Sequence, residues 1–173
     1  RWWLGVGRLV TMAVVSLVMA LCSFIAAAIC STIFTAIRGA GFGFDFGGTV
    51  LGLGATTLGL FSYAVLGSLF GYLTRSILGA VMLGLGWTFG IETLGIGMLS
   101  GSSGFFKVLH GFTLTGNIGS LPAALDRTEV LSLLSSPGVN TLHSGLVAFI
   151  FIICWLVVCA SLGISLLCRR DVA

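Results

Sequence analysis

Four long apolar runs, Leu9–Ile37, Gly48–Leu73, Ser76–Ser100 and Gly145–Cys168, alternate with brief polar breaks along this chain. A hydrocarbon core about 30 Å thick needs roughly 20 apolar residues at ~1.5 Å each, and every run meets that length. The pattern predicts an all-α, polytopic membrane helix bundle with four spans. "RGAGFGFDFG" separates the first two runs and "TRS" the second and third, so the only long connection is 101–144. Within it, "SLPAALDRTEVLSLLSSPG" reads as a short helix: Ser120 suits the cap, Pro122 the first turn, and Ser136-Pro137-Gly138 the stop. At about 14 residues it is too short to span, and Leu121, Leu125, Leu131 and Leu134 give it an apolar side. A re-entrant or interfacial helical region is expected there, with the preceding "FFKVLHGFTLTG" as the other arm of a dip that Gly111 and Gly116 permit to turn.

Composition agrees with lipid as the solvent. Of 173 residues, 57% are hydrophobic and 8% charged, with a mean hydropathy of +1.17. A water-soluble domain carries about three times that charged fraction. The whole of 1–173 reads as a single transmembrane domain. The first run is too long for a secretory signal and is followed by three more spans, so it is expected to remain in the mature chain. Arg1 stands where a translated chain carries Met, and N-terminal helices are expected to precede it. Among the eight Lys and Arg residues, Arg1, Arg8, Arg75, Arg169 and Arg170 fall on one side and Arg38, Lys107 and Arg127 on the other. The excess near helix ends puts the C-terminus in the cytoplasm of a cell membrane and 101–144 outside. The odd set of cysteines, Cys22, Cys30, Cys154, Cys159 and Cys168, lies within the apolar runs and reads as small buried hydrophobes.

Much of the glycine, 26 residues in all, falls inside the spans. Membrane helices associate by close packing, so the GxxxG pairs Gly67–Gly71 and Gly86–Gly90 are candidate helix-packing sites. Neither "GAGFG" nor "GLGATTLG" follows the strand-turn-helix pattern of a phosphate loop, and no GK[ST] occurs, so any ATP hydrolysis must belong to another polypeptide. No Cys/His spacing marks a zinc site, and no basic aromatic stripe marks a nucleic-acid surface.

One charge breaks the apolar pattern. Glu92, in "LGWTFGIETLGIG", has no basic neighbour in sequence, and a charge within a membrane costs ~2.5–3.5 kcal/mol on insertion scales. Two readings follow: a structural anchor bonded within the bundle or at the interface, or a residue of a polar pathway. Trp87 and Thr88 are candidate donors for it. The other polar groups within the spans are chiefly Thr56, Thr57, Ser62 and Tyr63, a set too sparse for a highly charged ion and better matched to an amphipathic or hydrophobic substrate. "GSSG" at 101–104 matches the GxSG around the nucleophile of rhomboid-like intramembrane proteases, with His110 and His143 as bases, although Ser103 and both histidines lie outside the apolar runs.

Four stretches resemble the ABC-2 type permease subunits of bacterial ATP-binding-cassette transporters: residues 44–76, "LGWTFGIETL" at 85–94, "LPAA" at 121–124 and the terminal "CRRDVA". The resemblance covers nearly the whole chain but starts after the family's first two helices and its coupling helix. It implies the last four helices of a permease, with a short cytoplasmic Arg-containing turn, a helix holding a Trp and then a Glu, an extracellular re-entrant region and a basic tail. Glu92 then matches a Glu near the outer end of the family's fifth helix. Also implied are a second permease copy or homologue as dimer partner and separate ATPase subunits that hold ATP and Mg, with no catalytic residue, cofactor or metal on this chain. A non-transporting membrane scaffold is the competing class.

Overall fold

Each of the four apolar runs forms a long helix in the computed structural model, which describes residues 2–39, 46–125 and 144–170. These helices are α1 (Trp2–Arg38), α2 (Phe46–Thr74), a third span that begins as α3 (Ile77–Leu85), and α6 (Gly145–Arg170). All four are long and apolar enough to cross a membrane, and the chain is a multi-pass membrane protein. Between the third span and α6, the described residues form two short helices, α4 (Gly104–Phe112) and α5 (Leu114–Leu125). Helix α1 starts ahead of the expected Leu9 because it crosses α6 there: a Cβ on Gly5 would sit 3.1 Å from Ile164 Cγ1. Helix α2 ends where Arg75 turns left-handed at φ 56° and its N–H bonds the Gly71 carbonyl at 3.0 Å. Ser76 then caps α3 by accepting from Gly79 N at 3.4 Å.

The third span changes register partway. From Gly86 to Gly97 its 12 residues are π-helical, with bonds running i→i+5 rather than i→i+4. Such segments are usually a single turn. Within "GWTFGIETLGIG" the close approach is at Gly95, where a Cβ would lie 3.3 Å from the Gly90 carbonyl.

Burial is inverted relative to a soluble protein. Isoleucines 25, 29 and 33 of α1 and Val157 and Val158 of α6 face outward, while Ser16, Ser62, Glu92, His110, Thr113, Asn117 and Ser120 are buried. Lipid solvates apolar side chains as well as the interior does, so what must be enclosed is the polar minority. Helix α2 is central and packs on α1, α3, α5 and α6, around a small core of Val65, Leu66, Leu69, Leu114, Leu121, Ala148 and Ile152.

Several expectations are corrected. Ser120 does not start a helix: α5 begins at Leu114 and continues through Pro122, and Ser120 Oγ donates to the Asn117 carbonyl at 2.8 Å inside it. The expected continuation to residue 136 lies outside the described residues. Only Cys159 of the five cysteines is buried; Cys22, Cys30 and Cys154 are exposed on the lipid-facing surface and Cys168 is intermediate, because lipid accepts a thiol as readily as the core does. The GxxxG glycines do not make the close contacts within this chain. A Cβ on Gly67, Gly86 or Gly90 would meet nothing within 4 Å, and one on Gly71 would make an ordinary contact of 3.8 Å with Ala80. Tight approaches occur at other glycines, among them Gly5 against Ile164 (3.1 Å), Gly59 against Ile118 (3.0 Å), Gly52 against Phe24 (3.3 Å) and Gly116 in the α4–α5 corner (2.8 Å).

Candidate functional site

Helices α4 and α5 form a re-entrant hairpin. The nine residues of α4 carry the chain ~13 Å inward from the Leu99–Ser103 loop, and α5 climbs back along α2. The sense of α5 follows from its contacts: Tyr63 meets Thr115, and Gly59, one turn nearer the start of α2, meets Ile118. The corner at Phe112–Leu114 therefore lies beside the middle of α2, with Thr113 and Leu114 buried, and in a membrane its backbone must find partners within the protein.

Two opposed helix ends at such a depth expose several orphan donors and acceptors, and side chains answer them one by one. On the α4 side, the His110 carbonyl accepts from Thr113 N (3.2 Å) and Thr113 Oγ1 (2.8 Å). The Gly111 carbonyl accepts from Asn117 Nδ2 (2.8 Å), and the Phe112 carbonyl from Trp155 Nε1 of α6 (2.9 Å). On the α5 side, Thr113 Oγ1 accepts from Gly116 N (3.2 Å) as the N-cap. Glu92 takes the two amides before it, accepting from Leu114 N on Oε1 (3.3 Å) and from Thr115 N on Oε2 (2.8 Å).

Glu92 is 2% exposed, and its pocket is built of donors. Beside the two amides, Trp87 Nε1 donates to Oε1 (2.9 Å) and Thr115 Oγ1 to Oε2 (2.5 Å). A carboxylate is acceptor-only, and a helix N-terminus offers it both N–H groups and the positive end of the macrodipole. The charge therefore needs no basic side chain, which resolves its isolation in sequence. Behind Thr115, Tyr63 OH of α2 donates to Thr115 Oγ1 (3.1 Å), so one network joins α2, the π segment and α5.

The π register makes the Trp87 contact possible. Residues five apart diverge by about 140° around an α-helix, whereas i→i+5 bonding brings them nearly into line. The same spacing recurs where Thr93 Oγ1 donates to the Thr88 carbonyl at 2.8 Å. Phe70 of α2 braces the indole of Trp87, ring centroids 6.4 Å apart.

Of the expected site residues, the structure brings together Glu92, Trp87 and Tyr63. Thr88 is not a donor to Glu92; its side chain faces a groove between α2 and the third span. Thr57 and Ser62 spend their hydroxyls on their own helix, at Leu53 and Leu58. Ser103 is exposed and caps α4, accepting from Phe106 N at 3.5 Å, while His110 is buried two turns further along the same helix, so these two form no nucleophile–base pair. His143 lies outside the described residues. Sequence reasoning missed Thr113, Thr115, Asn117 and Trp155. The one available signal was "TLTG", a Thr cap whose third following residue is Gly116 instead of the Glu of a capping box, leaving a carboxylate to come from elsewhere.

The fold and site thus define a multi-pass helical membrane protein with an internally capped re-entrant hairpin. Comparisons with protein-family models, curated proteins and solved structures return no match.

Proposed function

We propose that the chain is the membrane-spanning part of an ABC-2 type permease and acts as an exporter subunit. The observation that carries this reading is the re-entrant hairpin between the third and last spans, tied at its corner to Glu92. The resemblance in sequence implies a re-entrant region and a Glu in those positions. In this reading the hairpin closes the outward end of the bundle, the Arg75 turn and the C-terminal arginines face the cytoplasm, and a second permease completes the assembly. Separate ATPases bind ATP and Mg, and their closure biases two states of the paired bundles through the different affinity of each state for nucleotide. The carboxylate serves as a structural anchor of the hairpin in one state and is not itself a substrate ligand, since both of its oxygens are already occupied by donors.

The test is co-expression with an ATPase encoded beside this chain, purification through a tag on the permease, and ATP hydrolysis measured in lipid vesicles. Stable co-purification with hydrolysis that depends on the permease is expected. An ATPase that neither binds nor responds would overturn the transporter and leave a membrane scaffold.

A further inference from the structure

Among the described residues, two grooves on the lipid-facing surface differ in chemistry. The first, about 650 Å³, runs between α1, α2, α5 and α6 and is lined by aliphatic side chains and Phe61 and Phe149; Thr57 at its edge has its hydroxyl bonded to the Leu53 carbonyl. Nothing in it selects among acyl chains. The second, about 590 Å³, lies between α2 and the third span and has an apolar and a polar end. Towards the Arg75 turn its lining is apolar, with Gly67, Ala80 and Gly84 beside Leu66, Val81 and Leu85. Its other end is lined by the hydroxyl-bearing residues Tyr63, Thr88, Thr93 and Thr115.

The protons of three of those hydroxyls point away from the groove's contents. Tyr63 donates to Thr115, Thr115 to Glu92 and Thr93 to the Thr88 carbonyl. Tyr63 and Thr93 keep their oxygen lone pairs, Thr115 keeps one beside the bond it accepts from Tyr63, and the Thr88 hydroxyl, able to donate or accept, makes no bond within the described residues. Such a surface pairs with a ligand that brings hydrogen-bond donors. It repels a phosphate or carboxylate, which would face lone pairs with the Glu92 charge behind them. An ammonium finds no carboxylate oxygen to pair with directly, since both oxygens of Glu92 are held by donors behind Thr115, and a full charge at mid-membrane carries its own cost. Thr88 is also central in the Ile77–Gly97 span of 21 residues, so the hydroxyls sit near the middle of the membrane. A hydroxyl headgroup finds no other partner at that depth.

The geometry points to a binding site for a neutral, hydroxyl-bearing amphiphile with an apolar tail, its hydroxyls held by Tyr63, Thr88 and Thr93 and its tail along Gly67, Ala80 and Gly84. The volume is that of a small-molecule pocket. The inference rests on the transport reading for its purpose, as a station midway across the bilayer, but the site is defined by the groove alone.

The test uses the full chain, without any ATPase, in nanodiscs of phosphatidylcholine, with a photoactivatable monoacylglycerol as the probe. Labelling is expected on the 77–97 span, and excess monoacylglycerol should compete at least tenfold better than the methyl ester of the same fatty acid. Thr88→Val keeps the shape and removes the hydroxyl, so apparent affinity should fall about fivefold, the worth of one neutral hydrogen bond. Gly84→Leu places a bulky side chain in the apolar end and should abolish labelling. Equal competition by ester and monoacylglycerol, with no effect of Thr88→Val, would reduce the groove to ordinary lipid contact and overturn the site. Disulfide cross-linking of Gly84→Cys between two copies, with the probe excluded, would make the groove a subunit interface and overturn it equally. Failure to engage an ATPase would overturn the permease reading while leaving selective labelling, and hence this site, in place.

Discussion

Replacing Glu92 with Leu removes the acceptor for four donors at once: Trp87 Nε1, Leu114 N, Thr115 N and Thr115 Oγ1. The two side-chain donors can rotate, but the two amides are fixed by the geometry of α5. Each buried amide left without an acceptor costs ~1–3 kcal/mol. Polar interactions within membranes measure towards the low end of such ranges, because the alternative state in lipid also finds partners. Together the two amides suggest about 3 kcal/mol against the closed corner, or roughly 150-fold in the local opening equilibrium at 1.36 kcal/mol per tenfold. Glu92→Gln is milder but not silent. Both oxygens of Glu92 face donors, so either orientation of the amide points an NH2 at one. The better orientation lets Thr115 Oγ1 accept from the Gln amide and leaves only Thr115 N unpaired, for about 1–2 kcal/mol. Hydrogen exchange of the Leu114–Ile118 segment in nanodiscs reads the effect directly. Protection should fall in the order wild type, Gln, Leu, with exchange elsewhere in α2 and α6 little changed. Unchanged protection at Leu114 and Thr115 in Glu92→Leu would refute the capping role and with it the account of why the charge is retained.

Gly116→Ala would place a Cβ 2.8 Å from His110 Nε2 and Thr113 Oγ1 and 2.9 Å from the His110 carbonyl, so it should destabilise the corner by ~1–3 kcal/mol in detergent melting. Gly90→Ala, which meets nothing within 4 Å, should be neutral or slightly stabilising in the same assay. Trp155→Phe keeps a ring packed at its site but leaves the Phe112 carbonyl without its donor, which should cost about 1 kcal/mol and speed exchange across the corner; no change in either would remove Trp155 from the clasp. In intact cells, an impermeant thiol reagent should modify Ser102→Cys from outside and Ala173→Cys only after permeabilisation, and the reversed result would overturn the proposed orientation and the cytoplasmic ATPase contact with it.

The number and class of the helices were legible in the sequence because the bilayer imposes a length: an uninterrupted apolar run of about 20 residues has one stable solution in lipid, a helix with its backbone bonds closed on itself. The hairpin was legible in outline, since 101–144 had no run long enough to span, but its boundaries were not. Pro122 and Ser120 carry strong local start signals, yet α5 begins at Thr113 and Leu114, where Glu92 and Asn117 satisfy the ends from outside the local sequence. Local propensity is a weak prior, and at this depth the deciding term is whether each orphan amide finds a partner. The GxxxG spacing failed for a related reason: a pair of glycines four apart marks a smooth strip on a helix but not which neighbour lies against it, and within this chain Gly59 and Gly116 face backbone or side chains at contact distance while Gly86 and Gly90 face none. That Glu92 is held by amides 22 and 23 residues further on, and by an indole brought into line by a π register, depends on contacts between separate elements and on a bonding pattern that hydropathy does not encode. The sequence alone determined that a charge in this apolar run must be answered by donors. Only the packing of the hairpin against the third span decided which donors, because they are the open end of a helix that exists as an end only once the corner has folded.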